Sequence, residues 1–243
     1  FKYPFTLRQL LSHEAGFPDP IPISWIHLAK EDASFDEKKF ITSTIDKHSG
    51  QKFKPGTKFS YSSVGYLLLA QIIEKISGES FKNYILQHVI PARPDGNALG
   101  FTINDPAQHA VGYHDRFSFS NLMLGFFLDR KKYIKGNYGS RTAFRSFHVN
   151  GKAYGGLIGN VRGLAAYLQS YLEHTMFRYP ETQERMFTEQ QGGMSLGWFT
   201  GTLHGKKYVC HAGGGGGYYC EIRIYPELGI ASALLRNKSG FSD

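Results

Sequence analysis

The sequence has 243 residues, 41% of them hydrophobic and 20% charged, an ordinary globular composition that excludes a disordered chain. The formal net charge is +8, but lysine and arginine are spread without a long basic run, so we expect no nucleic-acid partner. No apolar stretch reaches the roughly 20 residues that a membrane helix needs. The longest candidate, Leu122 to Leu128, stops at a charged run, which predicts a buried or interfacial helix.

The first predicted element is a short helix. Thr6 and Gln9 have the spacing of a capping box, in which each side chain accepts from the other residue's backbone N–H. Leucines follow on one face, and Gly16 and Pro18 close the segment.

The strongest helical pattern lies between Val64 and Ser77. Its apolar residues recur at helical spacing, Ser62 or Ser63 is placed to cap its beginning, and Gly78 supplies the stop. A second helix, capped by Ser80, follows and ends before the next proline.

The later part of the chain changes character. Residues 95–152 show weak periodicity and predict irregular segments and short helices. Asn160 is placed to cap a helix through Glu173. Alternating patterns then predict four strands joined by short turns, at residues 196–202, 207–211, 218–225 and 230–236. Helices followed by an antiparallel meander indicate an α+β fold.

The two cysteines allow one alternative. Cys210 and Cys220 are too few for a disulfide framework and lack the C-x-x-C spacing of a zinc site. A bridge between them stays open, because both fall in predicted neighbouring strands.

Two places could carry chemistry. Tyr61 stands directly before the strongest helix, where backbone N–H groups favour a negative charge on its phenol oxygen. His211 ends a predicted strand and precedes the glycine run Gly213 to Gly217, whose backbone could approach a ligand and donate to an oxyanion. From position alone, a packing tyrosine and a flexible hairpin remain alternatives.

Four passages together resemble the β-lactamase-related serine hydrolases, the family of class C β-lactamases, D-alanyl-D-alanine carboxypeptidases and related esterases. They are LLSHEAGF at residues 10–17, PGTKFSYSSVGYLLL at 55–69, YGGL at 154–157 and HAGG at 211–214. They stand where the family has L-L-x-H-x-S-G-L, the Y-x-N passage, A-G-G-L and H-T-G-G, in the same order.

The resemblance implies a β-lactamase/transpeptidase-like fold, in which an antiparallel sheet flanked by helices carries a mainly helical subdomain and the N-terminal part is absent. Residues 1–153 would form the helical part with the Tyr-x-Asn-like motif, and residues 154–243 the part with the His-Thr-Gly-like motif. The resemblance favours a periplasmic or secreted protein. The chain's start at Phe1 predicts that an upstream part is missing.

The resemblance also implies roles. Tyr61 would be the base or proton shuttle for a nucleophilic serine, His211 would line the cleft beside it, and Gly213 and Gly214 would supply the oxyanion side. Ser63 stands where the family has an asparagine that contacts the substrate. His211 stands where one form of the family motif has lysine, and Ala212 stands where the motif has threonine. Because the charge of a histidine depends on pH, this favours an ester or peptide-like small molecule over an antibiotic as the substrate.

The family's S-x-x-K nucleophile motif has no good match in this chain. Ser49 and Lys52 fit its letters but lie in a polar loop, and Ser195 fits G-x-S-x-G without the strand and helix that a nucleophile elbow needs. We therefore expect the parent protein to be a serine hydrolase whose nucleophile lies outside these residues. The alternative is a binding protein that keeps the cleft for peptidoglycan-like or ester ligands without turnover.

Other chemistries find little support. The chain contains neither H-E-x-x-H nor H-x-H-x-D-H, so no metal or other cofactor is expected. The spacing of His109 and His114 does not fit one helical face, and both are predicted to be exposed. His13 is interpreted as a hydrogen-bonding residue at a helix end.

Overall fold

The structure, a computed structural model, describes residues 1–20, 22–91, 98–118 and 124–239, and its elements form an α+β fold. The helices are α1 (Leu7–Leu11), α2 (Glu37–Lys47), α3 (Ser63–Ser77), α4 (Phe81–His88), α5 (Arg130–Tyr133), α6 (Val161–Leu172) and α7 (Pro180–Phe187). The strands are β1 (Ile26–Leu28), β2 (Leu99–Gly100), β3 (Tyr113–Asp115), β4 (Ile134–Tyr138), β5 (Arg141–Phe144), β6 (Phe147–Val149), β7 (Ile158–Gly159), β8 (Phe199–Leu203), β9 (Lys206–Gly215), β10 (Tyr218–Tyr225) and β11 (Ile230–Arg236).

The capping box of α1 is confirmed. The Thr6 hydroxyl accepts from the Gln9 N–H, and the Gln9 side chain accepts from the Thr6 N–H. The helix then ends at Leu11, and the chain turns at Ser12 and His13 instead of continuing to Gly16. This early turn directs His13 toward the beginning of α3.

The boundaries of α3 are also confirmed. The Ser62 hydroxyl accepts from the Gly65 N–H at 3.1 Å, and Gly78 ends the helix in the left-handed conformation, with φ of 74°. Val64 and Leu67 are fully buried against α1 and α2. The packing therefore fixes the beginning of α3, which is where Tyr61 lies.

The second core lies under a four-stranded antiparallel sheet of order β11-β10-β9-β8. The helix α6, capped by Asn160 as predicted, packs on it, and the buried cluster contains Leu168, Tyr171, Trp198, Val209 and Ile224. The strands β10 and β11 have their predicted bounds, β8 begins three residues later than predicted, and β9 runs on through Gly215. The glycine run therefore belongs partly to a strand.

In its described part, the prediction for residues 95–152 was right about irregular segments and short helices, at 124–127 and in α5, but it missed the strands. This region holds short strands, which pair as β1 with β6, β2 with β7, and β3-β5-β4. Strands of two to five residues carry too few side chains to show a period of two, and their partners lie far along the chain.

The apolar segment Leu122 to Leu128 is described only from residue 124. Residues 124–127 are helical, Phe126 and Phe127 are exposed, and Leu128 is buried; Leu122 and Met123 lie outside the described residues. Within the described ranges, no helix combines the length and apolar character needed to cross a membrane.

Cys210 and Cys220 are free thiols, so the possible bridge is not formed. Both lie on adjacent strands, but Cys210 pairs with Arg223 and Cys220 with Gly213 in the antiparallel register. A disulfide needs two closely opposed Cβ atoms, and this register keeps the two residues apart.

Candidate functional site

Tyr61 and His211 meet in one site. The Tyr61 hydroxyl lies 3.5 Å from His211 Nε2, although the two residues are 150 positions apart in the chain. Both side chains are half-buried, and both rings pack beside Phe199. The first comes from the approach to α3 and the second from β9, so the site joins the two cores.

The partners of His211 fix where its proton lies. His211 Nδ1 is 2.8 Å from the carbonyl oxygen of Gly197, which can only accept, so Nδ1 must carry the hydrogen. In the neutral ring the lone pair is then on Nε2, which faces the Tyr61 hydroxyl. His211 is thereby oriented to accept a proton from Tyr61.

The environment of Tyr61 keeps its phenol protonated. Burial raises the pKa of Tyr61 above its ordinary value, and the carboxylate of Asp19 raises it further. Asp19 is exposed and accepts the Ser63 N–H at 2.7 Å, which anchors it at the first turn of α3. To act as a base at neutral pH, this phenol needs a group that takes its proton or a nearby cation.

Ser63 lies near Tyr61 but is buried, with 6% of its surface exposed. Its backbone N–H donates to the Asp19 carboxylate, and it is the first residue of α3. The substrate contact expected of Ser63 stays a prediction.

Gly213 and Gly214 lie on an open strand edge. The pairing of β8 with β9 ends at Cys210, whereas β10 pairs with β9 as far as Gly215. Beyond Cys210 the other edge of β9 therefore has no strand partner within the described ranges. Since alternate residues of an antiparallel strand direct their peptide groups to opposite edges, either Gly213 or Gly214 presents its N–H there.

Neither of these two glycines is required by the backbone. Neither has positive φ, and an added Cβ would meet its nearest neighbour at 3.4 Å, an ordinary contact. Gly216 and Gly217 differ, because both have positive φ and an added Cβ would lie 2.2 and 2.4 Å from Phe147 and Gly112. The later pair shapes the hairpin, and the earlier pair leaves space at the open edge.

His13 belongs to the site, which the sequence interpretation did not foresee. The residue is 2% exposed, and its ring stacks on Tyr61 with centroids 4.0 Å apart. Burial and the nearby charge of His211 lower the pKa of His13 to about 4, so this ring is neutral at pH 7. Its only sequence signal is its place in the LLSHEAGF passage.

The two serines that fit nucleophile patterns lack the local structure that those patterns require. Ser195 is fully buried, its hydroxyl donates to the Trp198 carbonyl, and the segment around it is a turn. Ser49 follows the end of α2 and donates to the Asp46 carbonyl, with no helix that also carries Lys52. That neither serine is the nucleophile stays a prediction.

The exposure predicted for His114 was wrong. His114 is buried in β3, and its Nε2 lies 2.7 Å from the Ser239 hydroxyl. His109 is half-buried beside the Tyr218 hydroxyl. Among the residues that the structure describes, no three His, Cys, Asp or Glu side chains gather in a metal-binding arrangement.

Comparison with known proteins supports the family resemblance that the motifs indicate. Penicillin-binding protein 4* of Bacillus subtilis is 34% identical over 86 residues, which are 33% of this chain and 18% of that protein. The N-acetylmuramyl-L-alanine amidase of the same organism is 26% identical over 213 residues, or 76% of this chain and 46% of that protein. The chain spans less than half the length of these curated relatives.

A solved structure covers nearly the whole chain. The octameric penicillin-binding protein homologue from Pyrococcus abyssi is 26% identical, with a TM-score of 0.72 over 98% of this chain and 53% of that one. This likeness confirms the β-lactamase/transpeptidase-like fold. Because the family model for Beta-lactamase matches residues 2–243, the chain belongs to the Beta-lactamase family.

Proposed function

We propose that this chain forms most of the cleft of a serine hydrolase that cleaves an ester, amide or β-lactam bond through an acyl-enzyme. Its serine and lysine would come from a part of the protein outside these 243 residues. The observation that carries the proposal is the contact of Tyr61 with His211 Nε2 at 3.5 Å. Gly213 and Gly214 lie on the same strand as His211, at its open edge.

The proposed proton path begins at Tyr61. Its hydroxyl gives a proton to the Nε2 lone pair of His211, which becomes an imidazolium and stabilises the phenolate. The phenolate takes the proton of the serine hydroxyl as the serine oxygen attacks the carbonyl carbon. Tyr61 then returns this proton to the leaving group when the bond to the carbonyl carbon breaks. The 3.5 Å contact is long and would shorten in the substrate complex.

The substrate class follows from the charges at the site. Histidine, not lysine, occupies position 211, and Ala212 beside it carries no hydroxyl. Recognition of a substrate carboxylate would therefore lack a permanent cation at this position. We propose an ester or amide substrate, in keeping with an amidase among the relatives.

A serine-directed fluorophosphonate probe tests the proposal on the complete protein. We expect one covalent adduct, and digestion with mass spectrometry should locate it on a serine outside residues 1–243. Ser195→Ala should leave the labelling unchanged, since that hydroxyl is buried. Labelling at Ser49 or Ser195 would refute the assignment.

Gly214→Ala tests the open edge of β9. The added Cβ meets protein atoms at 3.4 Å or more, so we expect the free energy of unfolding to change by less than about 1 kcal/mol. We expect kcat/KM to fall about tenfold, because the methyl group enters space left for the substrate. Gly50→Ala, where no described atom lies within 4 Å of the new Cβ, is the control. Unchanged kcat/KM in Gly214→Ala would argue against a substrate at this edge.

A non-catalytic binding protein is the second candidate. It is favoured by the raised pKa of Tyr61, because a phenol that stays protonated is a poor base but a good hydrogen-bond donor to a bound ligand. In this case the complete protein would bind an ester or muropeptide without turnover. The probe would then give no adduct, and calorimetry with the same ligand would still show binding.

A further inference from the structure

His13 binds the backbone N–H groups of the residues on both sides of Tyr61. The His13 carbonyl accepts the Ser60 N–H at 3.0 Å, and His13 Nδ1 accepts the Ser62 N–H, also at 3.0 Å. Two contacts from one residue thus fix the backbone before and after the phenol. This backbone lies outside α3, so the hydrogen bonds of the helix do not position it.

The His13 ring also packs on the Tyr61 ring. The two ring centroids are 4.0 Å apart, with an interplanar angle of 30°, and Tyr66 stacks on His13 at 5.0 Å. Tyr61 is therefore restrained at its backbone and at its ring by the same residue, through its carbonyl and its imidazole. In this position the Tyr61 hydroxyl lies 3.5 Å from His211 Nε2.

His13 takes up this place at a cost. Its φ is 57°, a left-handed conformation that is unfavourable for a residue with a side chain. Because Nδ1 accepts a hydrogen bond, the neutral ring carries its hydrogen on Nε2, and that buried atom has no hydrogen-bond partner among the described residues. Strain and an unsatisfied donor at one residue are typical of a functional constraint.

The same turn also supports His211. The Leu11 carbonyl accepts the Gly197 N–H and the Tyr66 hydroxyl, both at 3.1 Å. The Gly197 carbonyl in turn orients His211 through Nδ1. The turn at the end of α1 is thus linked to both partners of the proposed proton transfer.

We propose that His13 is a positioning residue: by binding both peptide flanks of Tyr61 and stacking on its ring, it holds the phenol toward His211. This rests on the proposed function, in which Tyr61 transfers a proton. His13 itself does not touch the substrate in this arrangement.

The test compares His13→Gly and His13→Asn in the complete protein. Glycine tolerates the left-handed backbone but removes the ring and its acceptor, so we expect kcat to fall about 10- to 100-fold with little change in KM. Asparagine also adopts this backbone and can accept the Ser62 N–H without a stacking ring, so its kcat should lie between glycine and wild type. The control is His204→Gly, a histidine with φ of 48° in the exposed turn between β8 and β9. It should keep wild-type kcat.

A second readout reports on Tyr61 without turnover. The Cζ resonance of Tyr61, in protein labelled with ¹³C-tyrosine and assigned by its loss in Tyr61→Phe, titrates with the phenol. In His13→Gly, water replaces the stacked ring, so the raised pKa of Tyr61 should fall toward its ordinary value of about 10. His204→Gly should leave it unchanged.

The outcomes separate the two proposals. Wild-type kcat in both His13 variants, or losses that only match the fraction of unfolded protein, would overturn the positioning role. An unchanged pKa of Tyr61 in His13→Gly would do the same. If Tyr61→Phe itself keeps full activity, the proposed function fails instead.

Discussion

Replacing Tyr61 with phenylalanine should lower kcat/KM by about 10²- to 10⁴-fold, the usual contribution of a positioned acid or base. The ring would still stack on His13 and lie beside Phe199. Among the described residues, the hydrogen bond lost is the long one to His211, so we expect the free energy of unfolding to change by less than about 0.5 kcal/mol. Steady-state kinetics and urea unfolding of the same preparation measure both quantities.

Tyr133→Phe is the matched control, because it should behave in the opposite way. The Tyr133 hydroxyl donates to the Ile26 carbonyl at 2.9 Å in a buried cluster away from Tyr61. Its loss should destabilise the fold by about 1 kcal/mol and leave kcat/KM unchanged. If Tyr61→Phe loses stability and activity together, as a merely structural tyrosine would, the proton-transfer role is refuted.

The sequence predicts the elements whose stability is mostly local. The helix α3 has a serine cap, a glycine stop and an apolar stripe, and its bounds follow from these residues alone. The helix α2 was not predicted, because its 11 residues include only Phe40, Ile41 and Ile45 as apolar residues. Its cap, Asp36, which accepts from the Lys39 N–H, was the available signal.

The short strands lie beyond local patterns. The β1–β6 pair joins Ile26 to Val149, and the β2–β7 pair joins Leu99 to Gly159. Such pairs form because the rest of the fold brings their segments together. The buried position of His114 has the same origin, since its partner Ser239 lies 125 residues away.

The candidate site shows a similar division. The motifs identify Tyr61 and His211 as neighbours, and their separation of 150 residues required the family resemblance. The sequence does not reveal that His13 binds both flanks of Tyr61, because those hydrogen bonds depend on where α1 ends. It also does not separate Gly213 and Gly214 from the glycines that shape the hairpin, since this distinction depends on φ and on neighbouring atoms.

Gly217→Ala should destabilise the protein by about 2 to 5 kcal/mol, from left-handed strain of about 1–2 kcal/mol and overpacking of about 1–3 kcal/mol. The φ of Gly217 is 91°, and a Cβ there would lie 2.4 Å from the carbonyl carbon of Gly112, a backbone atom that cannot move aside alone. The Gly217 carbonyl also accepts the Tyr113 N–H, and its own N–H donates to Ser239, so the hairpin tip is held on both sides.

Gly205→Ala separates strain from the clash. Gly205 also lies in a hairpin turn with positive φ, 75°, but no atom of the residues that the structure describes lies within 4 Å of its added Cβ. It should therefore lose only about 1–2 kcal/mol, and urea unfolding of both variants gives the difference. Gly213 and Gly214 lie in β9 just before this hairpin, so a displaced tip in Gly217→Ala should also lower kcat/KM of the molecules that remain folded. Equal losses of stability in the two variants would mean that the hairpin tip does not dock on residues 112–113. In that case this contact would not support the end of β9 that carries Gly213 and Gly214.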